Sequence, residues 1–66
     1  IGVRMEVEVG DKYIHLSSGY EYTVCNIAVD VINGSKFVVY TNFETIHPWL
    51  RPIEDFQKKF QLVVVK

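Results

Sequence analysis

The sequence predicts a mainly all-β fold, a small barrel of five to six short strands with one short helix or 3₁₀ turn before the last. Three observations carry this. Valine, isoleucine, threonine and aromatic residues dominate its segments, with eleven valines among 66 residues. Turn residues punctuate those segments about every ten residues, the spacing of a barrel or sandwich. A helical start signal occurs only once, at Pro52.

Taken in order, Val7 and Val9 alternate with Glu6 and Glu8, which suits a strand over the first nine residues. Met5 reads equally well as an original start, with residues 1–4 added ahead of it. Gly10-Asp11 then turns into a strand at 12–16, and Ser17-Ser18-Gly19 forms the next turn. The long run 20–32 ends at Asn33-Gly34, a strong hairpin signal. A two-residue turn there sets Val29 opposite Val38 and Ile27 opposite Tyr40. One face then carries Ile27, Val29, Val31, Val38 and Tyr40, and the other carries Ala28, Asp30, Phe37, Val39 and Thr41. The first face is the better core.

Upstream the phase changes. Tyr22 and Val24 are apolar on even positions, Ile27 and Val29 on odd ones. A switch near Cys25-Asn26 is what a β-bulge produces. Thirteen straight residues would span about 43 Å, too long for so small a domain. Burial of both faces would leave a similar pattern.

After a loop at 43–48 and the segment Trp49-Leu50-Arg51, Pro52 suits a first helical position. Glu54 and Asp55 follow in the first turn, and Lys58 and Lys59 stand in the last. Ile53, Phe56 and Phe60 recur on one helical face. Arg51 is a poor N-cap, so the helix is short. A valine-rich strand at 61–66 closes the chain, pairing with the N-terminal strand at 5–9 or with another copy. Short strands with one helix before the last fit an SH3-like barrel better than a sandwich.

The ordered set Gly10, Tyr13, His15, Gly19, Tyr22-Thr23-Val24, Ala28, Val38-Val39-Tyr40, Trp49-Leu50-Arg51-Pro52 and Phe56 resembles the small bacterial and phage family known as domain of unknown function 1653. That family carries a glycine-x-x-tyrosine-x-histidine start, a Val-Val-Tyr strand and a Trp-x-Arg-Pro segment. The chain departs from it at Leu16, often basic there, and at residues 30–35, usually acidic and polar. The resemblance implies an SH3-like barrel in a prokaryotic or phage setting, and no particular activity.

Composition limits the function. Seven bases against eight acids leave a net charge of −1, which opposes non-specific nucleic-acid binding. One cysteine makes no internal disulfide and points to a reducing compartment, the cytoplasm. No apolar run has the length of a membrane span. Cys25, His15 and His47 lack the paired spacing of a zinc site, and the thiol is expected to be buried. His15 with Ser17 or Ser18 and Asp11 contains triad residue types without a nucleophile elbow. Neither a metal, a cofactor nor a catalytic set is expected.

The expectation is therefore a non-catalytic binding module. Its first candidate surface is an apolar strand face or edge at Phe37, Val39, Val63 and Val65, for a protein partner or a second copy. Its second is an aromatic-basic group, Tyr13, His15, Tyr40, Trp49 and Arg51, for a nucleotide or nucleic acid. Against that stands a plainer reading: Tyr40 and Trp49 as core anchors, with Arg51 tying a loop to backbone carbonyls. A small hydrolase comes last.

Overall fold

The computed structural model describes residues 6–63, and the N-terminal question at Met5 and the expected interface residue Val65 lie outside them. Five antiparallel strands form one sheet: β1 (Lys12–His15), β2 (Glu21–Val29), β3 (Lys36–Thr41), β4 (Trp49–Pro52) and β5 (Phe60–Leu62). The helix α1 (Ile53–Lys59) stands between β4 and β5. In space the strand order is β4-β3-β2-β1-β5, so the sheet is open and β4 and β5 are its edges. Among the described residues no helix is long and apolar enough to cross a membrane.

The bulge sits where the apolar phase changes. Val24 faces Tyr40 and Asn26 faces Val39, leaving Cys25 as the extra residue. Being unpaired, Cys25 is exposed rather than buried, and its thiol donates to the Val39 carbonyl at 3.4 Å. The bulge puts Val24 and Ile27 on one face with Val38 and Tyr40. Phe56 stacks on Phe60 at 4.2 Å between centroids and meets the Tyr13 ring edge-on at 4.9 Å. Val7, Tyr13, Val24, Val38, Tyr40, Phe56 and Phe60 make the core.

The structure corrects several expectations. The β2–β3 connection is longer than two residues. Asp30 and Asn33 carboxyl and amide oxygens accept from the N–H groups of Ile32 and Ser35, and Gly34 (φ +76°) donates to the Asp30 carbonyl. These local bonds open the turn into a four-residue loop, so Ile27 pairs with Val38 and Val29 with Lys36. The shift is two residues, so the faces survive, but Val29 and Val31 are exposed and not core.

Residues 6–9 form no strand; a turn at Gly10 (φ +95°) carries the chain past β2, and only Val7 is buried. The closing strand therefore pairs with β1, with Tyr13 opposite Leu62 and His15 opposite Phe60. Trp49, an expected core anchor, is 43% exposed because β4 is an edge strand. The helix begins one residue later than expected, with Pro52 as its cap. Since α1 packs on the Val38–Tyr40 face, Phe37 and Val39 lie half-buried on the opposite, helix-free face beside Leu50 and Pro52.

Candidate functional site

Strand alternation decides which side chains meet at the β4 end of the inner face. Tyr40 faces Trp49 and Val38 faces Arg51, so Trp49 and Arg51 share the core side of the sheet while Leu50 and Pro52 point away. On the next strand Tyr22 precedes the bulge and keeps the inner phase. Phe60 leaves α1 directly into β5, paired with His15. His15, Tyr22, Tyr40, Trp49, Arg51 and Phe60 thus enclose a cleft of about 200 Å³.

The cleft is built from rings. Tyr22 meets Trp49 edge-on at 5.5 Å and Tyr40 at 5.4 Å. Tyr40 and Phe60 are buried below, leaving the half-buried Tyr22 ring and the indole at the surface. Burial, then the neighbouring Tyr40, pushes the Tyr22 hydroxyl above its usual pKa, so it stays a neutral donor at physiological pH.

Arg51 is held from two sides. Its Nε–H donates to the Tyr40 hydroxyl at 3.1 Å and a terminal nitrogen donates to Asp55 Oδ2 at 2.5 Å. The guanidinium lies 5.5 Å from the Phe60 centroid. Tyr40 first and Asp55 second raise its pKa further, so its charge is permanent. Asp55 in turn is held below its usual carboxylate value by Arg51 and then by Lys59, whose ammonium lies 3.1 Å away. A guanidinium has five N–H donors, and these bonds engage two. The remainder belong to a group already fixed in place, so a bound anion would cost little side-chain entropy.

His15 ends β1 at a tight turn. Its Nδ1 lies 2.9 Å from Ser18 Oγ and 3.2 Å from Ser17 Oγ, while its ring packs on Phe60 at 4.8 Å. Two of the triad residue types therefore meet. Asp11 stands at the far end of the four-residue strand, on the order of 13 Å along the chain, with its carboxylate accepting from the Glu8 N–H. The Ser–His contacts brace the turn.

A larger cleft of about 460 Å³ adjoins the first, sharing His15 and Arg51 and continuing to Leu16, Ser17, Lys58 and Lys59. The Leu16 N–H donates to the Lys59 carbonyl at 2.9 Å, tying the β1–β2 turn to the end of α1 across it.

Of the expected aromatic-basic group, His15, Tyr40, Trp49 and Arg51 come together. Tyr13 does not join them: it is buried beneath, against Phe56. Arg51 binds side chains rather than the expected backbone carbonyls. Tyr22 and Phe60 were not expected here, because their periodicity marks only the core face. Cys25, His15 and His47 are not gathered, and among the described residues no cluster of three potential metal ligands occurs. Compared with known proteins, the chain matches no family model, no curated sequence and no solved structure.

Proposed function

We propose that this domain is a non-catalytic binding module that recognises a nucleotide, free or within a nucleic acid, through the aromatic-basic cleft. The observation that carries the reading is the half-exposed Trp49 beside a pinned Arg51. An indole left 43% exposed beside so small a core forgoes burial that the core could use. Next to a fixed guanidinium it offers what a nucleotide requires, a platform for the flat base and a fork for the phosphate. A cleft of about 200 Å³ is below the ordinary range for small-molecule pockets and takes one ring at a time. The net charge of −1 does not oppose this, since Arg51, Lys58 and Lys59 gather around the adjoining clefts with Asp55 paired to two of them, a local excess of positive charge. The resemblance to the family of domain of unknown function 1653 and its prokaryotic or phage setting is compatible with such a module in the cytoplasm.

Trp49 is the only tryptophan, so its fluorescence reports the cleft directly. Titration with a nucleoside monophosphate is expected to quench it with a Kd on the order of 0.1–1 mM, the yield of one stacked base and one phosphate contact. The same titration with Arg51→Ala is expected to lose at least tenfold in affinity. No quenching up to several times that concentration rejects the reading.

A second reading rests on a separate observation. Phe37 and Val39 are half-buried on the helix-free face, next to Leu50, 60% exposed, and Pro52 on an edge strand. Such a face suits a protein partner or a second copy. Sedimentation at about 10 µM tests the second copy, because a micromolar dimer would be populated there and a monomer would not shift with concentration.

A further inference from the structure

We infer that the natural ligand is a single-stranded oligonucleotide of at least two nucleotides, with one base in the aromatic cleft, its phosphate on Arg51, and the next nucleotide in the larger cleft toward Lys58. This rests on the nucleotide reading above and deepens it. The two clefts share His15 and Arg51, so they form one trough with the guanidinium at the junction. One nucleotide would fill the smaller cleft and reach the junction, leaving about 460 Å³ unused. That second space is not neutral. It carries the cations Lys58 and Lys59, the Ser17 hydroxyl as a hydrogen-bonding group, and in Leu16, 57% exposed, an apolar surface for a second base. Lys59 is paired with Asp55, whereas Lys58 has no ion-pair partner among the described residues. Charge along the trough thus alternates with ring-binding surface, as base and phosphate alternate along a strand. A base stacked on the exposed part of the Trp49 indole, whose other contact is the Tyr22 edge, has to leave its own stack, which a single strand allows at low cost and a duplex resists.

The test is titration of the full chain by Trp49 fluorescence with thymidine monophosphate, the dinucleotide pTpT, oligothymidylate and oligouridylate of eight residues, an eight-base-pair duplex and an acidic peptide. The dinucleotide is expected to bind at least tenfold more tightly than the mononucleotide. Going to eight residues is expected to add only the few-fold gain of overlapping sites, and comparing the thymidylate and uridylate arms shows whether the strand is DNA or RNA. Lys58→Glu is expected to abolish the dinucleotide advantage while mononucleotide binding stays within twofold, and Lys58→Arg to keep the advantage. Lys58 is exposed and neither substitution removes a packed contact, and the melting curve of each variant checks that the fold is kept. Equal affinity for the mononucleotide and dinucleotide, or tighter binding of the duplex, overturns this inference and leaves the nucleotide reading standing. Quenching by the acidic peptide without any nucleotide response overturns both.

Discussion

Tyr40 and Trp49 stand directly opposite one another on β3 and β4, yet one is 5% exposed and the other 43%. The difference lies in what surrounds each. Tyr40 is on an interior strand, with Phe56 from α1 at 5.2 Å and Phe60 from β5 also at 5.2 Å. Trp49 is on the edge strand, and among the described residues its aromatic ring contacts come from Tyr22 and Tyr40. The inner face of the sheet therefore has two regions: one closed by the helix and β5, and one left open at β4 where the cleft forms. The same row of aromatic side chains builds the core in the first and a binding platform in the second.

The largest expected effect falls in the closed region. Phe56→Ala removes a fully buried ring and is expected to cost about 3–5 kcal/mol, enough to unfold most of the population. Trp49→Ala is expected to cost about 1–2 kcal/mol, because much of the indole already faces water. Urea unfolding of both variants would break the comparison if the two costs came out equal.

Arg51→Lys comes next. It keeps the charge but loses the planar fork that joins Tyr40 and Asp55, at about 1 kcal/mol of stability. A thermal shift of roughly 4–8 °C is expected, along with weaker nucleotide binding. An unchanged melting temperature would mean that the Tyr40 contact does not hold the cleft wall.

The smallest effect concerns pH. Asp55 titrates below its unfolded value, so its contribution is present above about pH 4 and lost as pH falls through the depressed value. The difference in melting temperature between parent and Asp55→Asn is expected to be flat from pH 5 to 8 and to shrink steadily as pH falls below about 4 toward the depressed value. A difference that grows on acidification would contradict the assigned ion pairs.

Much of the closed region was legible from local pattern. The switch from Tyr22 and Val24 to Ile27 located the bulge, and Pro52 with Phe56 and Phe60 located the helix, because both signals lie within a few residues of each other. The open region was less legible. Alternation tells which face Trp49 occupies but not that its strand is an edge, since that depends on pairing among distant segments. For the same reason Tyr22 and Phe60 looked like ordinary core residues and Tyr13 like a site residue. The β2–β3 register differs from that of a two-residue turn because Asp30 and Asn33 side chains compete with the ladder for backbone N–H groups.

The central claim is that the open end of the inner face, rather than the helix-free outer face, binds ligand. Chemical-shift mapping on the isotope-labelled 7.7 kDa chain with the dinucleotide pTpT tests it most directly. The account predicts shifts at the Trp49 indole N–H, Tyr22, His15, the Arg51 guanidinium and Lys58, with Phe37, Val39 and Leu50 unmoved. Shifts confined to Phe37, Val39 and Leu50, or none at millimolar dinucleotide, would contradict it.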